Sequence, residues 1–506
     1  MRAHENNVAA FLLHNGRPDQ VALLAGDCSH TYGDLARAAQ KLSNHLLQLG
    51  CAKGDRFVLI GENSLFWVVA YCALLAAGLV CVPLPPDIAI EDLQFVLEET
   101  ESTGALLDSK LAARFGPSLR RLHLVTDRLA PKIDGVQTQA AFSDLRESPE
   151  EQSFEDVEGN DLAALMFTSG STGRPRGVMV SHGNIIANTD SIIEYLQLTD
   201  TDRIMTVLPF HYCFGTSLLH THLRAGGSLV LDQRFLYPEK ILERMIETGC
   251  TGFAGVPSHF QILLRRSTIA KKAFPCLRYV QQAGGHLPPT FIRELQEALP
   301  GKQIFVMYGQ TEATARLSYL PPNLIDTKPG SIGKGIPGVR LRVLDAAHRD
   351  VGPGEVGEIV AEGDNVALGY WRAPAETELT FRDGKLYTGD IATVDHDGYI
   401  YIVDRAKDFV KVAGKRVSCR QLEDKLMECG DVIEAAIVAV PDEILGEAIK
   451  AFVVPRTPDC DGLKETLYQA CKRTMPPEFV PKQIVLVQSL PKNSAGKVLK
   501  HDLRAS

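Results

Sequence analysis

The chain has 506 residues, with 53 lysines and arginines against 62 aspartates and glutamates, which gives a formal net charge of −9. At about 150 residues per domain, this length predicts several structural units and a large buried core. The mild acidity argues against a nucleic-acid or anionic-membrane partner, since either would need a basic face. A composition of 45% apolar and 23% charged residues is typical of globular proteins and excludes coiled coils, collagens and disulfide mini-scaffolds.

The cysteines and the most apolar segment both indicate a reduced, soluble protein. The eleven cysteines have no CxxC or metal-finger spacing, and the sequence starts without the apolar stretch of a signal peptide. We therefore expect mostly buried, reduced thiols in a cytoplasmic protein. The uncharged residues 65–82 approach the length of a membrane span, but Gly78 divides them and Pro83 ends them. This favours a buried helix followed by a buried strand over membrane insertion.

The elements of the first half alternate between short apolar runs and helical periodicity. The predicted elements are strands at residues 57–61, 79–82, 105–107, 122–126, 202–209 and 227–232, with helices at 65–77 and 238–248. Such alternation is typical of parallel sheets covered by helices, so the predicted fold class is α/β.

The pattern changes twice in the second half. Residues 339–360 alternate strictly and contain a glycine-rich turn, which predicts a small antiparallel, barrel-like subdomain. From residue 404 a compact α+β pattern follows, with helices predicted at residues 418–428 and 463–474 and strands at 432–440 and 449–454. The charged stretch 404–408, DRAKD, is expected to be too polar for a core. It is the predicted boundary between a domain of residues 1–403 and a domain of residues 409–506.

The strongest chemical signal is the segment 166–182, MFTSGSTGRPRGVMVSH, in which an apolar strand runs into glycines, hydroxyls and two arginines. Glycines allow a ligand to approach the backbone, and successive N–H groups, hydroxyls and guanidinium groups bind phosphate oxygens. No GxxxxGK[ST] sequence occurs, so this is not a Walker A loop.

This segment resembles the phosphate loop of the adenylate-forming superfamily, which includes acyl-CoA synthetases, peptide-synthetase adenylation domains and firefly luciferase. The family usually has Pro-Lys-Gly where this chain has Pro-Arg-Gly, and Arg176 retains the positive charge. The resemblance implies that the nucleotide phosphates contact Thr168, Ser169, Gly170, Ser171, Thr172, Gly173 and Arg176.

Further motifs of the family follow in the same order along almost the whole chain. Within residues 308–312, YGQTE, the resemblance implies that Tyr308 packs on adenine, Thr311 contacts the α-phosphate and Glu312 holds Mg²⁺, with Gly309 as a further nucleotide contact. A carboxylate suits a hard cation that bridges phosphates. The other implied nucleotide contacts are Gly284, Gly285, Asp390 on the ribose, Ile402 and Arg405. The family has a glycine where this chain has Asp404, and the sequence does not explain that difference.

The C-terminal segment 491–497, PKNSAGK, resembles the one that carries the family's catalytic lysine, here Lys497. An ammonium group suits this step, because one anion attacks another and negative charge accumulates. The resemblance also implies a mobile C-terminal domain that rotates about Lys407 after adenylation. Rotation would bring forward an acceptor loop that contains Lys411, Gly414, Lys415 and Arg416.

The segment 208–215, LPFHYCFG, resembles the acid pocket of acyl-CoA ligases and luciferase. Cys213 lies near the position where amino-acid-activating domains carry an aspartate. Because a buried ammonium without a carboxylate is costly, a non-amino acid is expected. The predicted pocket residues are His211, which we also consider as catalytic or as a packed core residue, with Cys213, Phe214, Gly215, His259, Ala283, Gly284, Ala313 and Thr314.

The resulting prediction is an ATP- and Mg²⁺-dependent ligase that forms acyl-AMP and passes the acyl group to a thiol, with CoA preferred. The sequence leaves an amine or a separate carrier protein open as acceptor. An oxidase of the luciferase kind and a non-catalytic nucleotide sensor also remain, although a sensor would not need Lys497. Two other motifs carry no function: Pro337 interrupts the GxGxxG-like residues 333–338, and His220 and His222, spaced for one face of a strand, lack a third metal ligand.

Overall fold

The computed structural model describes residues 6–145, 154–169, 175–405, 409–412, 415–429, 431–442, 446–457, 462–492 and 498–504. Its helices are α1 Val8–Leu13, α2 Tyr32–Gln48, α3 Leu65–Ala76, α4 Ile90–Thr100, α5 Ala112–Phe115, α6 His182–Leu196, α7 Cys213–Ala225, α8 Pro238–Glu247, α9 Pro257–Arg266, α10 Pro289–Ala298, α11 Pro374–Thr380, α12 Cys419–Met427, α13 Leu463–Thr474 and α14 Lys500–Arg504.

The strands up to residue 320 are β1 Val21–Ala25, β2 Cys28–Thr31, β3 Arg56–Ile60, β4 Val80–Leu84, β5 Gly104–Leu107, β6 His123–Thr126, β7 Thr138–Ala141, β8 Leu162–Ser169, β9 Pro175–Ser181, β10 Arg203–Thr206, β11 Ser228–Leu231, β12 Gly252–Gly255, β13 Tyr279–Gln282, β14 Gln303–Tyr308 and β15 Ser318–Leu320. The later strands are β16 Lys334–Gly335, β17 Arg340–Leu344, β18 Val356–Glu362, β19 Phe381–Arg382, β20 Lys385–Val394, β21 Ile400–Arg405, β22 Phe409–Val412, β23 Lys415–Ser418, β24 Val432–Asp442, β25 Gly446–Pro455 and β26 Gln483–Leu486.

Two large, mostly parallel sheets form the first part of the molecule. One has seven strands in the order β7-β6-β5-β3-β4-β8-β9 and is parallel except where β9 folds back on β8. The other has nine strands in the order β16-β15-β14-β13-β12-β10-β11-β1-β2, with antiparallel strands at both ends. Helices cover both sheets, as the alternating sequence pattern predicts.

Two smaller sheets complete the fold. Strands β17, β18, β20, β19 and β21 form an antiparallel sheet, as the strict alternation after residue 339 predicts. Strands β22 to β26 form the last sheet, whose pairings are antiparallel except for β25 with β26. The buried apolar residues of this last part form two clusters within residues 410–503. The predicted α/β fold class with an antiparallel subdomain and a C-terminal α+β unit is confirmed.

The apolar segment 65–82 folds as predicted. Ser64 Oγ accepts a hydrogen bond from the backbone N–H of Trp67 and starts α3, in which every residue after Leu65 is buried. Buried strand β4 follows directly. Across the described ranges, we find no helix with the length and apolar character needed to cross a membrane. The ten cysteines in the described ranges are free thiols.

Two local expectations are wrong. His220 and His222 lie in helix α7 and not in a strand, and each is buried against a tyrosine hydroxyl, of Tyr71 and Tyr279 respectively, at 2.8 Å. The DRAKD stretch is not uniformly too polar for the interior either, because Asp404 is buried. Its carboxylate accepts a hydrogen bond from Ser418 Oγ at 2.8 Å.

The GxGxxG-like residues form a sheet edge. Gly333 has φ +82°, and a Cβ there would lie 1.8 Å from the Tyr319 carbonyl oxygen, so glycine is required for this close approach. Strands β16 and β17 follow without an intervening helix, which excludes a dinucleotide-binding turn.

Candidate functional site

A cavity of about 1160 Å³ lies where the large sheets, the antiparallel sheet and the C-terminal residues meet. Strands β13 and β14 end at its wall with Gln282 and Tyr308, and α7 begins there with Cys213. The carboxyl ends of parallel strands are where open α/β sheets place their ligands, because the connecting loops there leave a crevice.

One side of the cavity joins Tyr308 to Asp390. The Tyr308 hydroxyl donates a hydrogen bond to Asp390 Oδ2 at 2.6 Å, and Asp390 is only 4% exposed. Ile402 also lines this side, and the β20–β21 register places the backbone of Arg405 opposite Asp390. Strands β14, β20 and β21 thereby bring Tyr308, Asp390 and Ile402 together on one side of the cavity.

The turn after β14 places two further polar side chains on the wall. Thr311 and Glu312 lie in a single 3₁₀ turn that ends at Thr314, a β-branched residue with φ +66°. This conformation is unfavourable for such a residue. It is held because Thr314 Oγ1 donates to the carbonyl of Asn365 at 2.7 Å. One oxygen of Glu312 accepts a hydrogen bond from the Tyr370 hydroxyl at 2.8 Å.

The phosphate-loop residues that are described reach the same cavity. Thr168 and Arg176 line it from the two sides of the β8–β9 hairpin. The Arg176 guanidinium lies 4.0 Å from a carboxylate oxygen of Glu376 and 5.8 Å from the centroid of the Tyr370 ring. Its charge therefore lies on the same side of the cavity as the Tyr370–Glu312 pair.

The acid-pocket side is formed by the start of α7 and by the turn after β13. Cys213, Phe214 and Gly215 line the cavity, as do Gly284 and Gly285. A Cβ on Gly215 would lie 2.0 Å from the Pro209 carbonyl oxygen, so only glycine allows this close packing. Thr311 Oγ1 donates to Cys213 Sγ at 3.4 Å, and burial raises the pKa of that thiol, so Cys213 presents a neutral group.

Five predicted pocket residues do not line the cavity. His211 is 7% exposed, packs on the ring of Tyr212 and has its Nε2 without a hydrogen-bond partner among the described residues. His259 Nδ1 accepts the Val256 N–H at the start of α9. Burial lowers the pKa of each of these histidines to about 4, so both are neutral near pH 7. The other three are buried next to wall residues: Ala283, Ala313 and Thr314.

Several predicted site residues lie outside the described residues, or are described by their backbone alone. The residues outside are Gly170, Ser171, Thr172, Gly173, Lys407, Gly414 and Lys497. Those with only a described backbone are Ser169, Arg405, Lys411, Lys415 and Arg416.

Several residues at the site were not predicted from the sequence, because their contacts join distant parts of the chain. Tyr370 contacts Glu312, and Arg420 and Lys500 reach the cavity from the C-terminal part. Arg316 is the single cation in residues 313–320, ATARLSYL, and this isolated charge in an apolar run was a detectable signal. The contacts of Tyr370 and Arg420 left no comparable local pattern.

The profiles of two known families match most of the chain. The profile of the AMP-binding enzyme family matches residues 13–371, and that of its C-terminal domain matches residues 421–497. A long-chain-fatty-acid–CoA ligase of Salmonella typhimurium is 31% identical over 94% of this chain and 89% of its own length. A feruloyl-CoA synthase of Amycolatopsis is 31% identical over 96% of both chains.

Solved structures show the same architecture. An anthranilate CoA ligase in complex with anthranoyl-AMP has a TM-score of 0.89 and 25% identity, covering 99% of this chain and 96% of its own. The o-succinylbenzoate CoA synthetase of Bacillus subtilis, solved with ATP and magnesium ion, has a TM-score of 0.84 and 26% identity, covering 98% and 99%. The chain belongs to the AMP-binding enzyme family, as its motifs predict. The predicted enzyme class, an AMP-forming acid–thiol ligase, is likewise confirmed.

Proposed function

We propose that this enzyme activates a non-amino carboxylic acid with ATP and then transfers the acyl group to the thiol of CoA. The observation that carries the proposal is the convergence of Arg176, Tyr308, Thr311, Glu312 and Asp390 on one cavity. A bound nucleoside triphosphate requires an aromatic ring that packs on the base, a carboxylate that accepts hydrogen bonds from the ribose hydroxyls and a cation that contacts the phosphate oxygens.

In the first step a carboxylate oxygen of the acid attacks the α-phosphorus of ATP. The bond from that phosphorus to the β-phosphate bridging oxygen breaks, and pyrophosphate leaves. Tyr308 and Asp390 hold the nucleoside, and the Thr311 hydroxyl stands at the acid side next to Cys213. We assign Lys497 the positive charge that stabilises the transition state between the two anions.

Mg²⁺ fits the donors at this site. Tyr370 occupies one hydrogen-bonding position of Glu312 and orients the carboxylate toward the cavity. The described residues contain no cluster of three or more histidine, cysteine, aspartate or glutamate side chains that could form a protein cage for a metal. A single carboxylate combined with substrate phosphates is a usual Mg²⁺ arrangement, and the ion neutralises phosphate charge when bound.

In the second step the thiolate sulfur of CoA attacks the acyl carbonyl carbon. The carbon–oxygen bond to the phosphate breaks, AMP leaves with the bonding electrons, and the thiol proton passes to solvent. The CoA ligases among the relatives support this acceptor. Neutral Cys213 supports the acid class, because it offers no counter-charge to a buried ammonium.

The test measures pyrophosphate release across a panel of carboxylic acids, with products identified by mass spectrometry after adding CoA, amines or a carrier protein. We expect acid-dependent pyrophosphate release and a thioester with CoA. An amide or a carrier-bound acyl group in place of the CoA thioester would overturn the acceptor. No pyrophosphate release with any acid would overturn the adenylation step itself.

A further inference from the structure

Arg316 is the most unusual buried charge in the described part of the chain. It is 1% exposed, and its Nε and Nη2 atoms have no hydrogen-bond partner among the described residues. The guanidinium interacts with the hydroxyl of Tyr195. Because Nε and Nη2 still lack partners, this contact repays only part of the cost of burying the cation. A ligand that reaches these two atoms supplies the missing partner.

The backbone around Arg316 is firmly held. Its carbonyl oxygen accepts hydrogen bonds from Asn188 Nδ2 at 3.0 Å and from Asn365 Nδ2 at 2.8 Å. A Cβ on Gly309, the cavity-lining residue that follows β14, would lie 2.9 Å from the Arg316 Cα, so Gly309 and Arg316 are packed closely together. The backbone of Arg316 is therefore fixed directly behind the cavity wall, and Arg316 itself does not line the cavity.

The guanidinium lies against the acid side of the cavity. Its Cζ is 4.8 Å from the centroid of the Phe214 ring, and Phe214 lines the cavity. Burial raises the pKa of the Cys213 thiol, and the positive charge of Arg316 acts against that rise, which places the charge near this second lining residue. Phe214 is only partly buried, and its ring must move aside for a ligand in the cavity to reach the guanidinium.

We propose that Arg316 selects acids whose tail carries an oxygen acceptor, a second carboxylate or a carbonyl, over acids with a plain hydrocarbon tail. The inference deepens the proposed function and rests on it. A forked pair of N–H donors matches such an oxygen, and a carboxylate fits best because it also supplies a counter-charge. The contacts with the Phe214 ring and the Tyr195 hydroxyl are weaker compensation for burying the cation, because neither supplies a counter-charge.

The test compares matched acids of equal chain length, at three lengths: a monocarboxylate, the corresponding dicarboxylate and the corresponding keto acid. Pyrophosphate release gives kcat/KM for each. We expect the wild-type protein to prefer the oxygen-bearing member by about 100-fold, since sites that hydrogen-bond a substrate reject analogues that lack the group. Preference for the dicarboxylate over the keto acid would show that the substrate oxygen that Arg316 binds belongs to a carboxylate. The reverse preference would show that it belongs to a carbonyl.

Arg316→Met should lower kcat/KM for the oxygen-bearing acid by about 100-fold and leave the hydrocarbon acid unchanged or improved. Arg316→Lys should retain part of the dicarboxylate activity, because it keeps the charge without the fork. Arg128→Met, at an exposed arginine with 83% side-chain exposure, is the matched control. Melting temperature and AMP binding report the folding of each variant.

Equal use of both acids by the wild-type protein, or equal loss of both in Arg316→Met, would overturn this inference and leave Arg316 a structural residue. The wild-type comparison decides even if Arg316→Met does not fold. Activity with hydrocarbon acids alone would contradict the role of Arg316 while supporting the proposed function. Absence of pyrophosphate release with every acid would instead contradict the proposed function.

Discussion

At the scale of single residues, Asp390 shows how one buried carboxylate serves both the fold and the candidate nucleotide site. It accepts a hydrogen bond from the Tyr308 hydroxyl at 2.6 Å and lines the cavity. A carboxylate has about four lone-pair positions and can accept several hydrogen bonds at once, which suits a contact with ribose hydroxyls.

Asp390→Asn should therefore raise KM for ATP by at least about tenfold, roughly 1.4 kcal/mol, because the amide loses charge and acceptor positions. The wild-type protein should also lose affinity for 2′-deoxy-ATP, whereas the variant should hardly distinguish the two nucleotides. Steady-state kinetics with both nucleotides form a double-mutant cycle. If the effects of Asp390→Asn and of the missing 2′-hydroxyl on the KM for the nucleotide were additive, a direct contact between Asp390 and that hydroxyl would be contradicted.

The second residue is Cys213, whose neutral thiol faces the acid side of the cavity. Cys213→Asp should weaken adenylation of the wild-type protein's preferred acid, because it would bury an unpaired carboxylate, which costs more than the ~1–3 kcal/mol of an unpaired neutral polar group. Cys213→Asn is the matched control of similar size without charge, and pyrophosphate release measures both. Best activity of the wild-type protein with a free α-amino acid would show that the pocket is assigned wrongly.

The third residue is Lys497, which lies outside the described residues. Because its charge should act only on adenylate formation, Lys497→Ala should reduce pyrophosphate release by about 10²-fold or more. The variant should still convert synthetic acyl-AMP and CoA to thioester. The control is Lys472→Ala, at an exposed lysine of α13. Equal loss of both half-reactions would be inconsistent with a role confined to adenylation.

At the scale of elements, helix α12 contacts the turn after β13 through a histidine. His286 Nε2 donates to Asp424 Oδ2 at 2.9 Å, and Arg420 Nη2 donates to His286 Nδ1. Burial and the neighbouring Arg420 charge lower the pKa of His286, against the opposing effect of Asp424. The contact therefore uses the neutral ring, whose Nδ1 is an acceptor.

This geometry predicts that the contact weakens as pH falls through the ordinary histidine range. Protonation of His286 would place an N–H opposite the Arg420 guanidinium. Because the pKa of His286 is lowered, the neutral ring stabilises the contact of α12 above that pH range, and this stabilisation is lost below it. Energy transfer between labels on α12 and on the first part of the chain should decrease from about pH 7.5 to about pH 5.5.

The matched control for this pH effect is His286→Gln, which can donate and accept hydrogen bonds but does not titrate in this range. Its energy transfer should be nearly independent of pH. An identical pH response in the wild-type protein and in His286→Gln would show that a group other than His286 controls the contact.

At the scale of the whole molecule, we expect the two half-reactions to use different arrangements of the C-terminal residues around one cavity. Lys407 is the predicted hinge, and proline there would fix φ near −65° and remove an N–H. We expect Lys407→Pro to keep adenylation within about tenfold, roughly 1.4 kcal/mol of barrier, while transfer to CoA falls much further. Single-turnover rates of both steps measure the effect.

Lys407→Ala is the control for this variant, since it removes the side chain without restricting φ. It should retain both steps. A parallel decrease of both rates in Lys407→Pro, or no decrease at all, would show that rotation about residue 407 does not separate the two steps.

The local helices and strands and the family could be predicted from the sequence alone. Helix α13 lies where its apolar spacing places it, at residues 463–474, and the switch from alternation with helices to strict alternation marks the antiparallel sheet. The motifs around Tyr308, Asp390 and Arg176 also identified cavity-lining residues in advance. Such signals are local, because periodicity and loop chemistry depend on near neighbours in the chain.

The tertiary structure decided which side chains form the cavity wall. Helix α7 is buried nearly all round, with its histidines inside, and the spacing of His220 and His222 wrongly suggested a strand. His259 and Ala283 belong to segments near the cavity but do not line it, since sequence position does not fix the facing side. The burial of Asp404 against Ser418 depends on contacts with distant parts of the chain, as does the burial of the two Arg316 nitrogens that lack a partner among the described residues. Only packing brings those groups together, and their energies depend on burial and partners that no local pattern encodes.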